Sequence, residues 1–320
     1  FAEVNYDITI VENTKGPTPL ETTDADTGST VTYSLSGADV DNFEIVNNTL
    51  ALKQDADFET KTSYAVTVTA SDGENTATQA VTYTITDAND NAPVFTSNAA
   101  VSIVENTKGP TLLETTDADA GSTVTYSLSG ADAADFEIVN NTLALKQDAD
   151  FETKTSYAVT VTASDGENTA TQAVTYTITD ANDNPPVFAD VNYDITIVEN
   201  TNVVVTLATT DADANSTVTY SITGGADADK FNLSSSGALS LKEAADFETK
   251  TSYIVVVGAD DGVNTANQTI TLGVSDIDEI APVITLNGDE LVNVEQGSSY
   301  VEAGATADGG ETVTTSGTVD

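Results

Sequence analysis

Apolar and polar side chains alternate along most of the chain. Val4, Tyr6, Ile8 and Ile10 occupy every second position, as do Val31/Tyr33/Leu35, Tyr64/Val66/Val68/Ala70 and Val81/Tyr83/Ile85. A period of two places each set on one face of a β-strand, and the Thr and Val that fill these runs suit that conformation. No stretch sustains a period of 3.6. Ser36-Gly37, Asn47-Asn48 and Asp72-Gly73 interrupt the runs as turns. About seven short strands per unit of roughly 93 residues predict an all-β fold of Greek-key, seven-stranded sandwiches with immunoglobulin-like topology. Tyr33, Phe43, Phe58, Tyr64 and Tyr83 sit at core-like positions, and a Thr-rich face is left for water.

The pattern repeats. Residues 11–91 and 104–184 are the same text except at Pro19/Leu112, Thr27/Ala120, Val40/Ala133, Asp41/Ala134 and Asn42/Asp135, and a diverged third copy runs from about Val198 to Asp278. Units this long are independent globules rather than solenoid turns. They divide the chain at 1–91, 92–184 and 185–280, in a linear array. Phe1 aligns with Phe188, which closes a Pro-Val-Phe linker; the chain is therefore read as an excerpt of a longer array. Residues 281–320 read differently, and PVITLNGDELVNVEQGSSYVEAGATADGG resembles the first half of a bacterial immunoglobulin-like module. Such a piece supplies too few strands to close a sandwich alone; either it is cut short, or strands from another copy complete it.

Charge narrows the chemistry. There are 52 Asp and Glu against 9 basic residues, and His, Cys, Met and Trp are absent. No imidazole base, thiolate or disulfide is available. Nucleic acid and anionic membranes are repelled, and no apolar run is long enough to span a bilayer. The expected partner is a hard cation.

The acidic residues fall into motifs that recur in fixed order: Glu12 in VEN, Asp24-Ala25-Asp26, Asp57-Phe58-Glu59, Asp72-Gly73 and Asp87-Ala88-Asn89-Asp90-Asn91. Singly, each is a turn signal. Gathered at one pole of a sandwich, the carboxylates repel one another by about 4 kcal/mol per pair at 4 Å in an effective dielectric of 20. Oxygen ligands of this kind select calcium. A proline follows each DANDN and stiffens the connection. The run does not fit an EF-hand, since the positions that need Gly and Glu hold Ala92 and Asn98.

DANDNAPVF and DANDNPPVF, with VEN and DFE upstream and DAD and SDG downstream, resemble cadherin repeats over roughly residues 1–281. The resemblance implies three calcium ions at each junction between repeats. At the first junction the implied ligands are Glu12, Asp57, Glu59, Asp87, Asn89, Asp90, Asn91 (through its carbonyl), Asp117, Asp119 and Asp165. At the second they are Glu105, Asp150, Glu152, Asp180, Asn182, Asp183, Asn184, Asp211, Asp213 and Asp261. The third departs from the motif: Glu199, Asp246 and Glu248 are kept, but Asp276, Asp278 and Glu279 stand in a DIDEI run and no DAD follows. One or two ions are expected there. Asp24, Asp26 and Asp72 are expected to be empty or incompletely ligated.

The implied function is a calcium-rigidified stalk or spacer of an exported, bacterial cell-surface adhesin or fibre, outside the cell, mediating calcium-dependent adhesion. Its partners are calcium ions, neighbouring repeats of the same chain, and other copies of itself or a surface glycan. The alternatives are a subunit of an extracellular filament and a homophilic or glycan-binding module. No enzyme is expected: Asp57 and Glu59 are i, i+2 neighbours with a repeated role, and no substrate cleft is suggested.

Overall fold

The computed structural model describes residues 1, 5–26, 28–190, 193–279, 281–289, 292–299, 301, 303–307, 312–314 and 316. Two compact units result, Phe1–Ala181 and Asn182–Asp320. The first holds two sandwiches and the second holds the third. Each has its own hydrophobic core.

The first sandwich contains β1 (Asn5–Val11), β2 (Thr18–Pro19), β3 (Thr32–Ser36), β4 (Phe43–Val46), β5 (Thr49–Leu52), β6 (Ser63–Ser71) and β7 (Thr76–Thr86). One sheet has the order β1-β7-β6-β3 and the other β2-β5-β4. The alternating runs become strands with one buried face: Val66, Val68 and Ala70 on β6 and Val81, Tyr83 and Ile85 on β7 are buried. Phe43 packs edge-on against Tyr83 at 5.2 Å, while Tyr33, Phe58 and Tyr64 border the same core. The hydroxyl of fully buried Tyr83 is satisfied within the core, hydrogen-bonded to Thr18 Oγ1 (2.9 Å) and Leu50 O (3.2 Å). The β4–β5 turn uses Asn47 and Asn48, both at positive φ (53° and 61°), the backbone of a type I′ hairpin turn that Asn tolerates. Gly16 is required at its position: its φ is +57°, and a Cβ would lie 2.7 Å from Ile10 Cγ2.

One pairing is not legible from alternation. β1 runs parallel to β7, with Ile10 opposite Ile85 and Val11 opposite Thr86. The two strands therefore leave the sheet side by side, and the Glu12 N–H donates to Thr86 O at 3.1 Å. This puts the VEN motif against the linker. The second and third copies repeat the parallel pair, Ala100–Val104 with Thr169–Thr179 and Tyr193–Val198 with Thr265–Ser275.

The linker is anchored downstream as well. Val94–Phe95 pairs antiparallel with Thr115–Thr116, the step before Asp117. In the second unit Val187–Phe188 does the same with Thr209–Thr210, before Asp211. Beyond the third copy, Ile284–Leu286 pairs with Ala305–Ala307, and Val283, Ile284 and Leu286 stay exposed. Ile280, part of the DIDEI run, lies outside the described residues.

An acidic clamp, unsuspected from the motifs, ties the DFE loop to the sheet. Asp39 accepts from Lys61 Nζ and from the Ala65 N–H (2.8 Å). Lys61 also lies over the Tyr64 ring, 4.7 Å from its centre. Asp132–Lys154 and Asp227–Lys250 repeat the arrangement. The Lys61 and Ala65 donors, in that order of effect, hold the Asp39 carboxyl below its ordinary value of 3.8. A lowered folded pKa means the clamp's stability is complete above pH 3.8 and is lost as pH falls through the folded value. Asp39→Ala is expected to cost roughly 1–2 kcal/mol at neutral pH. The gap from the parent should narrow in acid unfolding curves as pH falls below 3.8; a gap that stays constant throughout the acid range would contradict the clamp.

Candidate metal centre

Glu12 is the hub of the first copy's pole. It is 2% exposed. Oε2 accepts from the Phe58 N–H at 2.8 Å and Oε1 from the Ala88 N–H at 2.7 Å. One buried carboxylate thereby joins β1, the DFE loop and the linker. Glu105 binds the Phe151 and Ala181 N–H groups, both at 2.7 Å. Glu199 binds those of Phe247 (2.8 Å) and Ile277 (2.7 Å).

Around Glu12 the acidic side chains form a connected series. Carboxylate oxygens of Glu12, Glu59 and Asp87 lie within 4.8 Å of one another; so do those of Glu59, Asp90 and Asp119, and those of Asp117, Asp119 and Asp165. Glu59 is shared by the first and second groups, Asp119 by the second and third. Three stretches of chain contribute: the first copy, the linker and the second copy. The Asn91 N–H and Nδ2 donate to Asp119 at 2.9 and 2.8 Å, and Asp90 accepts from Asn13 Nδ2 at 2.5 Å. The Ala120 N–H donates to Asp87 at 2.5 Å.

The electrostatics record the crowding. For Glu59, a bond from its own backbone N–H lowers the pKa, yet desolvation and the neighbouring charges of Glu12, Asp87 and Asp119 prevail and raise it. Asp165 moves the other way: burial raises it, but the Asn168 and Glu167 N–H groups and the Asn89 side chain outweigh that and hold it low.

The donor set fits a hard divalent cation. It is all oxygen, which suits calcium. Buried Asp87 Oδ1 and Asp117 Oδ2 find no hydrogen-bond partner in the protein. A buried carboxylate oxygen left so is costly unless a cation completes it.

Other predicted ligands have local roles that the motifs do not reveal. Asp57 accepts from the Thr60 N–H (2.8 Å) and Thr60 Oγ1 (2.9 Å), closing its own turn. Asp150 and Asp246 bind the N–H groups of Thr153 and Thr249 likewise. Asn89 faces the second copy, where Asn168 donates to it. Asn13 and Asn168 were missed among the predicted residues, although both recur in the copies: Asn13, Asn106 and Asn200 all hold φ near 60°.

The second set is described by unit. In the first unit Glu105, Glu152 and Asp180 form a group like that of Glu12, Glu59 and Asp87. In the second unit Asn184 donates to Asp213 through its N–H (3.0 Å) and Nδ2 (2.9 Å), and through Nδ2 to Asp183 (2.8 Å). The Asp213 N–H donates to Asp211, and Asp261 accepts from the Val263 and Asn264 N–H groups. Asn182 accepts from Asn264. At the third copy's far end, a self-bond lowers the pKa of Glu248 while desolvation and the charges of Glu199, Glu279 and Asp276 raise it. Asp276, Asp278 and Glu279 are exposed there, whereas Asp87 is half-buried. Asp24, Asp26 and Asp72 line an open hollow of about 280 Å³.

No helix among the described residues is long and apolar enough to cross a membrane. A model of the cadherin domain matches residues 193–275. The chain is 35% identical over 292 residues to human protocadherin Fat 1, which covers 83% of this chain and 6% of that protein. It is 32% identical over 327 residues to mouse cadherin EGF LAG seven-pass G-type receptor 2, covering 92% of this chain and 11% of that one. The chain thus spans a small part of the length of these curated relatives. Among solved structures, the protocadherin gammaB7 EC3-6 cis-dimer superposes with a TM-score of 0.72 at 26% identity, covering 89% of this chain and 75% of that chain. Mouse cadherin-23 EC22-24 shares the fold with a TM-score of 0.69 at 24% identity, covering 87% and 98%. These relatives are animal proteins, which lends no support to the bacterial origin or to the immunoglobulin-like reading of residues 281–320 expected from sequence. The family model thus marks a cadherin domain at residues 193–275, and over most of its length the chain is similar in sequence and architecture to tandem cadherin domains.

Proposed function

We propose that the chain is a stretch of an extracellular, calcium-rigidified stalk that serves calcium-dependent cell adhesion, with repeats at 1–91, 92–184 and 185–280 and a separate β module from 281. The observation that carries this reading is the series of three acidic groups spanning the first linker. Glu12, Glu59 and Asp87 would hold one ion, Glu59, Asp90 and Asp119 a second, and Asp117, Asp119 and Asp165 a third. Bound calcium supplies positive charge to carboxylates that otherwise repel one another. The protein's own part is to fix those carboxylates: Glu12 from the buried side, Asn91 by gripping Asp119, and Val94–Phe95 by pairing with the strand before Asp117. Extracellular modules of this kind bind calcium at about 10⁻⁴–10⁻³ M, a range met outside cells. The role is structural and adhesive rather than catalytic. The resemblance to a structure described as a cis-dimer supports a second reading, association of copies with one another.

The chain has no Cys, so introduced cysteines label it cleanly. With spin labels at Thr78→Cys and Thr171→Cys, both exposed strand positions in the first unit, the distance distribution should be broad in chelator and narrow in millimolar calcium. Asp119→Ala, which removes a ligand shared by two groups, should keep it broad at that calcium level. Equal widths with and without calcium would defeat the proposal.

A further inference from the structure

The loop that carries Asp165 does more than present a carboxylate. The Asn168 N–H donates to Asp165 Oδ1 at 2.7 Å. Its side chain reaches across to the linker, where Nδ2 donates to Asn89 O at 3.2 Å and to Asn89 Oδ1 at 3.3 Å. The Asn89 side chain in turn bonds Asp165. Linker and loop are thus cross-tied twice, by the Asn168 carboxamide on Asn89 and by the Asn89 side chain on the Asp165 carboxylate.

The second unit repeats the device. Asn264 Nδ2 donates to Asn182 Oδ1 (3.1 Å), Asn182 O (3.4 Å) and Asn184 O (3.5 Å), and the Asn182 side chain bonds Asp261. In the first copy the same residue, Asn75, turns its carboxamide back on Asp72 at 3.5 Å. One sequence position therefore grips a linker in the second and third copies and caps its own turn in the first.

We infer that Asn168 is a positioning residue: a latch that holds the first linker against the second repeat before any ion binds, with Asn264 its counterpart in the second unit. The inference rests on the calcium reading only for its consequence. The Asn168–Asn89 bonds that make the latch join uncharged donors and acceptors, so they need no ion and persist in chelator. With the linker already placed, binding calcium orders less chain, and affinity rises by whatever ordering the latch has done in advance.

The test uses the whole chain in chelator and in a calcium titration. Hydrogen exchange of the linker amides is followed in peptides that extend past Ala92, which distinguishes them from the second linker with its Pro185. Asn168→Ala should speed exchange at Asn89–Asn91 in chelator by roughly three- to tenfold, the worth of one or two modest hydrogen bonds. It should weaken calcium binding by a similar factor with the number of sites unchanged. Asn75→Ala, with the same deletion in a residue that grips no linker, should change neither. Unchanged linker exchange in Asn168→Ala, or an equal effect from Asn75→Ala, would overturn the latch. A parent chain that takes up no calcium, yet shows the exchange change, would uphold the latch and overturn the ion reading.

Discussion

Withdrawing calcium should lower the unfolding temperature of the first two repeats by roughly 10–20 °C. An ion that binds only the native state adds about 2.7 kcal/mol when its free concentration is a hundred times its dissociation constant. In a domain of about 90 residues each kcal/mol moves the midpoint by roughly 4–8 °C. The three acidic groups give the direction: Glu59 is shared and feels three neighbouring carboxylates, while Asp87 Oδ1 and Asp117 Oδ2 are buried without partners. Removing the cation leaves these groups to repel, take up protons or move apart. The shift should grow with the logarithm of calcium concentration, as linkage requires, and magnesium should substitute poorly because it demands a tighter octahedron and gives up water reluctantly. Calorimetric scans across a calcium series check this. A midpoint that does not move between chelator and 10 mM calcium would contradict it.

Glu12→Ala should be the most damaging single change, and it should act without calcium as well as with it. The Glu12 carboxylate is buried and takes the N–H groups of Phe58 and Ala88 at 2.8 and 2.7 Å. Hydrogen bonds to a charged acceptor are worth about 1.5–3 kcal/mol each, and their loss leaves two part-buried donors stranded. A cost of roughly 3–5 kcal/mol to the first repeat follows, a large share of the 5–15 kcal/mol that holds a typical domain together. Glu12→Gln should not rescue it, because the amide offers one acceptor oxygen and points an NH₂ at the other N–H. Asp90→Ala provides the contrast. Asp90 is exposed, and its hydrogen-bond partners are the Asn13 and Asn91 side chains, so in chelator this change should be near neutral, while calcium binding at the first linker falls. Denaturant unfolding of each variant in chelator and in calcium separates the two roles. Equal damage from Glu12→Ala and Asp90→Ala in chelator would show that Glu12 is only another ligand.

Much of this was legible in the residues. Alternation located β3, β6 and β7, because a sheet with one buried face writes its period directly into the sequence. Repetition of the acidic motifs singled out the carboxylates that the fold gathers around the linker, since a turn signal seldom recurs with its whole neighbourhood intact. What stayed hidden depends on contacts between distant segments. Alternation gives faces but not neighbours, so the parallel pairing of β1 with β7 was invisible, and with it the reason Glu12 meets Ala88. Asp39 and Lys61 are 22 positions apart and look like ordinary surface charges until the sheet brings them together. Asp57 belongs to a motif whose neighbour Glu59 joins two acidic groups, yet its own oxygens close a turn on Thr60. Spacing alone does not separate a ligand from a cap when both are carboxylates in the same tripeptide. Asn168 escaped for a similar reason: Asn75 has the same local text and a different partner.

The most direct test is a diffraction map of the chain crystallised in millimolar calcium, with anomalous data collected to identify the ions. Three peaks are predicted in the first unit, the outer two beside Glu12 and Asp165 and the middle one between Glu59, Asp90 and Asp119. A map with no peak among those carboxylates, and their side chains turned out to water, would contradict the account.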